Sequence, residues 1–102
     1  MLATLIALSM TAPATDANMT ILLSCYFDQA RSSQAQGLEP AAYEASLRAA
    51  CQAQQNAAEQ ANVKRLVDSG RPPASAQAEA AEAVRQARAA MVKVYARRQQ
   101  AK

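Results

Sequence analysis

The segment CYFDQARSSQAQGLEPAAYEASLRAAC, residues 25–51, has a cysteine at each end and a Gly-Leu-Glu-Pro turn near its centre. Leu38, within that turn, is equally distant in sequence from Cys25 and Cys51. In an antiparallel helical hairpin, residues equidistant from the turn lie at the same height, here about 18–20 Å from it at ~1.5 Å per residue. The spacing therefore predicts a Cys25–Cys51 disulfide, with Cα atoms within ~7 Å of each other. The alternative is two reduced thiols buried in a cytosolic core.

The composition of the whole chain predicts an all-α fold. Of 102 residues, 27 are alanine and 11 are glutamine, whereas β-branched and aromatic residues are sparse. Alanine and glutamine favour helices, while β-branched and aromatic residues favour strands. The length allows one small domain, and we place a single helical domain at residues 15–102.

Glycine and proline mark the ends of three predicted helices, at about 18–36, 40–69 and 75–101. Gly37 suits the left-handed position after the first helix, and Pro40 suits the first turn of the second. Gly70, followed by Arg71-Pro72-Pro73, ends the second helix. Ser75 is the expected N-cap of the third.

Apolar residues at helical spacing define the faces of these helices. The first helix has an apolar face made of Met19, Leu22, Leu23, Tyr26, Phe27 and Ala30. The third has a seam with the spacing of a coiled coil, made of Ala80, Val84, Ala87, Met91 and Val94, with Tyr95 beside it. Apolar contact should end at Tyr95, and the last turn should be solvated.

The second predicted helix has two apolar sides. Cys51 lies on the side that must face helix one, whereas Val63, Leu66 and Val67 point about 100–200° away, towards helix three. We therefore expect a disulfide-linked antiparallel helical hairpin plus a third long helix, in a loose or flattened three-helix arrangement. In that arrangement helices one and three flank the middle helix. The alternative is a regular three-helix bundle.

Alanines recur at every fourth residue of the second predicted helix, at Ala41, Ala45, Ala49, Ala53, Ala57 and Ala61. A row of small side chains would let a neighbouring helix approach to ~8 Å. The alternative is that the alanines reflect helix propensity alone.

The first residues, MLATLIALSMTAPA (1–14), have the order of a signal peptide. An uncharged apolar run is followed by a small-residue Ala-Pro-Ala site, although no basic residue precedes the run. We expect cleavage near Thr15 and a periplasmic or secreted protein, a location that also suits a disulfide. The alternatives are an N-terminal extension of the first helix, an uncleaved membrane anchor, or a lipidated Cys25 after Leu22-Leu23-Ser24.

Residue types argue against catalysis. The chain has no histidine, which removes the commonest general base and a common metal ligand. It has no glycine-rich phosphate loop and no cysteines at metal-binding spacing. Carboxylates such as Glu44 and Glu82 have an arginine three or four residues away, as in ordinary surface pairs. We predict no enzyme activity, no catalytic residue, no metal and no cofactor.

The far end of the second helix is a candidate binding surface. Helix one begins level with Ala58 and cannot reach Val63, Leu66 or Val67. Only the alanine-rich start of helix three can cover them, and alanines cover little area. We predict an apolar patch of Val63, Leu66, Val67 and Val84 that binds another protein or a second copy of the chain. The leading expectation is a small exported helical protein acting by protein–protein binding, as an adaptor, accessory subunit or chaperone-like module. The alternative for the four patch residues is ordinary two-helix packing with slight exposure and no binding role.

The C-terminal segment is strongly basic. It carries six cations and no acidic residue, namely Arg85, Arg88, Lys93, Arg97, Arg98 and Lys102. The alternative function is therefore binding of an anionic membrane surface or polymer through this helix. The competing explanation is that these cations complement the helix dipole. Nucleic acid is disfavoured as a partner because Tyr95 alone makes no stacking platform.

Overall fold

The computed structural model describes residues 17–101, which form four α-helices and no strand. They are α1 (Ala17–Gln36), α2 (Pro40–Ala50), α3 (Gln52–Asp68) and α4 (Pro73–Gln100). The predicted all-α class is confirmed. The molecule measures 55 × 34 × 18 Å, with a short axis of less than two helix diameters. It is therefore flat, as the loose or flattened arrangement requires. The predicted signal peptide, residues 1–14, lies outside the described residues.

The hairpin turn between α1 and α2 forms as the glycine predicts. Gly37 has φ +70°, in the left-handed region. Its N–H donates to the Gln34 carbonyl at 3.1 Å, and the Leu38 N–H donates to the Ser33 carbonyl at 2.9 Å. These two bonds are the Schellman pattern that ends a helix. Pro40 then opens α2, where its missing N–H costs nothing.

The predicted disulfide is confirmed. Cys25 of α1 and Cys51, between α2 and α3, are bonded at 2.05 Å, with their Cα atoms 6.0 Å apart. Cys51 is fully buried. The hairpin register deduced from the sequence symmetry about Leu38 is therefore the register of the fold.

The prediction of one continuous second helix over 40–69 was wrong in one respect. In the structure the helix is interrupted at Cys51. There φ is −108° and ψ is 20°. The Cys51 N–H still donates to Leu47, and the Cys51 carbonyl still accepts from Gln55, at 3.0 and 2.9 Å. The interruption is therefore a bend. Residues 47–55 contain neither proline nor glycine, the usual causes of a helix bend. The bend falls on Cys51, the residue that the disulfide ties to α1.

The turn between α3 and α4 repeats the chemistry of the first. Gly70 has φ +107°, its N–H donates to Val67, and the Arg71 N–H donates to Leu66, both at 3.0 Å. Helix α4 then starts at Pro73, two residues before the expected Ser75. Proline at the first helical position already has the required φ, so Ser75 is not the cap.

One hydrophobic core joins all four segments. Its buried members are Leu22, Tyr26, Ala30, Tyr43, Leu47, Cys51, Ala58, Val84 and Tyr95. The rings of Tyr43 and Tyr95 stack with centroids 4.2 Å apart and an interplanar angle of 19°. Tyr26 of α1 and Tyr95 of α4 belong to this one cluster. The expectation that these helices flank the middle segment without a shared core was therefore wrong.

Two residues placed on apolar faces are instead exposed. Phe27 of α1 is 46 % exposed and Val94 of α4 is 38 % exposed. In a straight helix Tyr95 lies ~20° from Val84, whereas Val94 lies ~80° away on the other side. The buried stripe of α4 therefore passes through Tyr95, and the coiled-coil spacing that included Val94 was wrong. Apolar contact does end at Tyr95, but Gln99 in the last turn is half-buried rather than solvated.

Candidate interaction surfaces

The first candidate surface, which we call the apolar tip, consists of Val63, Leu66 and Val67 at the end of α3. Val63 and Leu66 are half-buried, and Val67 is 38 % exposed. On the α4 side the buried residues next to this end of the fold are Ala76 and Ala80. The tip is thus packed against small side chains and keeps part of its apolar surface in water.

Val84 does not belong to this exposed patch, and its placement there was wrong. Its side chain is 1 % exposed and lies in the core cluster with Tyr26 and Ala58. In the structure α4 turns Val84 inward, towards α1.

Local hydrogen bonds and one exposed ion pair frame the apolar tip. The Ser69 hydroxyl donates to the Leu66 carbonyl at 2.8 Å, and the same carbonyl accepts the Arg71 N–H. The Arg71 guanidinium then forms an ion pair with Glu79 of α4. The ion pair links the turn after Leu66 to α4, and because it is exposed it adds little stability.

The alanine row does not pack against another described helix. The five alanines from Ala41 to Ala57 are exposed, and only Ala61 is half-buried. Part of the row borders an open groove of about 660 Å³ between α2, α3 and α4. Its lining includes Ala41, Ala45 and Ala49 on one wall and Val84 and Arg88 on the other. Close helix packing along the row is therefore absent from residues 17–101.

A buried polar network crosses the core beside this groove. Tyr26 donates its hydroxyl to Gln55 Oε1 at 2.7 Å, and Arg88 donates to the same oxygen at 2.8 Å. Burial raises the pKa of Tyr26, and the Arg88 guanidinium partly opposes that rise. The network links α1, α3 and α4. Sequence analysis missed it, although Gln55 continues the apolar line through Leu47 and Cys51, where a polar residue is itself a signal.

The second candidate surface is the basic end of α4, where the structure divides the predicted cations. Arg85 forms an ion pair with Glu82, and this bond lowers the pKa of Glu82. Arg88 is held by Gln55. Lys93, Arg97 and Arg98 are exposed and have no ion-pair partner within residues 17–101. The sixth cation, Lys102, lies outside the described residues.

Cations on the other helices are mostly neutralised by carboxylates. The pairs are Arg31–Asp28, Arg48–Glu44, Lys64–Asp68 and Arg71–Glu79. Each pair is exposed, so its effect on stability is small. Their effect on the charge pattern is larger, because they leave the uncompensated positive charge concentrated on the last turns of α4.

Within residues 17–101 there is no group of three or more histidine, cysteine or acidic side chains placed to hold a metal ion. No helix in this range is long and apolar enough to cross a membrane. The disulfide is compatible with a periplasmic or extracellular location.

No protein-family model, curated protein or solved structure matches this chain.

Proposed function

We propose that this chain is a small exported, non-catalytic binding module that docks a protein partner, or a second copy of itself, on the apolar tip. The observation that carries the proposal is the partial exposure of Val63, Leu66 and Val67, which are neighbours at helical spacing. They lie at an end of the fold where the buried residues of α4 are the alanines Ala76 and Ala80. Contiguous apolar surface is the feature that distinguishes binding sites from ordinary exposed residues.

The other exposed apolar side chains do not form such a surface. Ile21 and Phe27 of α1 are 55 % and 46 % exposed, more than Val67. They point about 120° apart around α1, and the polar Ser24 lies between them. Half-buried Leu23 lies one turn before Phe27, but Leu23 packs against the core cluster, whereas Val63 and Leu66 are not part of it. Single exposed hydrophobic residues are normal on soluble proteins. The apolar tip therefore remains the favoured docking surface.

The frame of the tip supports the same function. Leu66 is fixed through its carbonyl oxygen by Ser69 and Arg71, and Arg71 is paired with Glu79. A surface that is already ordered loses less conformational entropy when a partner binds. The Cys25–Cys51 disulfide supports export, since such bonds persist in oxidising compartments. The lack of histidine supports a non-catalytic role.

Two matched variants test this proposal. Val67 and Val94 are both helical valines with 38 % exposure, the first at the tip and the second on α4. Oxidised wild type, Val67→Glu and Val94→Glu would be compared by sedimentation velocity over a range of concentrations. The same three proteins would then serve as bait in extract from the native compartment, with far-UV circular dichroism confirming equal helicity.

We expect wild type and Val94→Glu to share a self-associated species or a co-purifying protein, and Val67→Glu to lose it. A charge placed at the centre of an apolar interface leaves an unpaired buried carboxylate in the complex. The proposal is wrong if Val67→Glu keeps the same species or partner. It is also wrong if the wild type neither self-associates nor retains any protein.

A further inference from the structure

We infer that the outer face of the last turns of α4, which we call the basic face, docks on an anionic phospholipid bilayer. The basic face is defined by Lys93, Val94 and Arg97, and Arg98 adds charge at its edge. It is separate from the apolar tip and would act whether or not the tip binds a protein.

The charge pattern is the first step. Elsewhere in the described chain five exposed cations lie beside a carboxylate, namely Arg31, Arg48, Lys64, Arg71 and Arg85. After Glu82 the chain has no acidic residue. Glu39 lies in the hairpin turn, and its charge acts on Tyr95, which is on the side of α4 that faces this turn. Lys93 and Arg97 therefore project a positive field outward that no described neighbour cancels.

The orientation of α4 is the second step. Tyr95 is buried, and its hydroxyl donates to the Leu38 carbonyl at 2.6 Å. The Gln99 amide donates to the same carbonyl. Lys93 and Arg97 each lie ~160° around the helix from Tyr95, one on either side of the point opposite it. The contact that anchors α4 to the hairpin turn therefore points the two cations directly away from the core.

The composition of the face is the third step. Val94, 38 % exposed, lies one turn before Arg97 and Arg98 and between them around the helix. With the small residues of the preceding turns, these side chains border a shallow depression lined by Gln86, Ala89, Ala90, Lys93, Val94 and Arg97. An apolar side chain flanked by cations on one helix face matches the requirement of a bilayer interface, where the cations contact headgroups and the apolar residue enters the acyl boundary.

The same features favour lipid over other anions. A nucleic acid would gain from exposed aromatic rings, but Tyr95 is 2 % exposed and faces inward. The depression is open and its cations are spread along the helix, which suits many dispersed headgroups rather than one small anion. Each Lys or Arg near an anionic bilayer strengthens binding about fivefold.

The test is co-sedimentation of the full oxidised chain with vesicles of phosphatidylglycerol and phosphatidylcholine, and with vesicles of phosphatidylcholine alone. The variant Lys93→Gln/Arg97→Gln/Arg98→Gln removes the three unpaired cations. Its matched control, Arg31→Gln/Arg48→Gln/Lys64→Gln, lowers the net charge equally but removes cations that are already paired. Far-UV circular dichroism checks that both variants retain the helicity of the wild type.

We expect wild type to bind the anionic vesicles only, and to weaken steeply between about 0.05 M and 0.5 M NaCl. The α4 triple variant should lose about 100-fold in affinity, at about fivefold per cation, and the control only a few-fold. Val94→Glu should also weaken binding, whereas Val67→Glu should bind as wild type does. This opposite response of the two valine variants separates failure of this inference from failure of the proposed function.

Three results would overturn the inference. One is no binding of wild type to anionic vesicles at low salt. Another is an equal loss in the two triple variants, which would show that net charge alone matters. The third is binding to poly-glutamate or to single-stranded DNA as tight as to the vesicles, which would assign the face to anions in general.

Discussion

The two ends of this molecule are built from different side chains. At the hairpin-turn end, Tyr43 and Tyr95 stack, and the Leu38 carbonyl accepts hydrogen bonds from Tyr95 and Gln99. At the other end, α3 meets α4 through buried alanines, and Leu66 and Val67 stay partly in water. Buried apolar area determines how strongly helices associate. The large apolar side chains are therefore buried at the hairpin-turn end, whereas the buried side chains of α4 near the tip are small.

Replacing Tyr95 with alanine is the largest expected perturbation. The change removes a fully packed ring, its stacking contact with Tyr43 and its hydrogen bond to the Leu38 carbonyl, and should lower the free energy of unfolding by about 3–5 kcal/mol. Urea denaturation followed by circular dichroism measures it.

The matched substitution at the other end is Leu66→Ala, which removes a half-buried side chain. It should cost clearly less, about 1 kcal/mol, since little of the side chain leaves an apolar environment. Equal losses in the two variants would show that both ends stabilise the fold alike and would remove the contrast.

After Tyr95→Ala, removal of the disulfide should have the largest effect on stability. The double variant Cys25→Ser/Cys51→Ser opens a loop with a sequence separation of 26 residues. In the chain-entropy model such a loop contributes about 3–4 kcal/mol. Denaturation of the double variant against the oxidised wild type measures this loss, and reduced wild type is the control. A variant as stable as the oxidised protein would refute the stabilising role.

Alkaline pH should lower the free energy of unfolding by less than loss of the disulfide does, and the loss should grow with pH. Burial raises the pKa of Tyr43 to about 12, from an ordinary value of 10.0. The folded state therefore holds the phenol proton more tightly than the unfolded chain. Its contribution is fully present below pH ~10 and is lost as the pH rises towards ~12.

Melting temperatures measured at pH 8 to 12 should therefore fall above pH ~10. The variant Tyr43→Phe should show a shallower fall, because it has no proton to lose at this site. A wild-type melting temperature that stays constant up to pH ~12 would contradict the prediction.

Local chemistry allowed the framework to be predicted from the sequence. Gly37 and Gly70 each take a positive φ that other residues avoid, so both helix ends were predicted from single residues. The cysteine pairing followed from symmetry about Leu38. The patterns that succeeded involve residues close in sequence, or two helices joined by one short turn.

The details that were missed depend on three-dimensional packing. The bend at Cys51 lies in a run of good helix formers and has no local signal. Whether Val84 or Val94 is buried depends on a rotation of α4 that the Tyr95 contact determines. Of the six predicted basic residues, only the fold shows that Arg88 is bonded to Gln55, while Lys93 and Arg97 have no ion-pair partner among the described residues.

The buried tyrosines give this protein an intrinsic optical reporter. The chain has three tyrosines and no tryptophan, and Tyr26, Tyr43 and Tyr95 are all in the core. Its ultraviolet absorbance and fluorescence above 270 nm therefore come almost entirely from buried rings. Near-ultraviolet circular dichroism of these rings therefore reports on the packing of the core, which includes the stacked Tyr43–Tyr95 pair. Events at the tip or on the basic face can thus be followed with external probes without disturbing that signal.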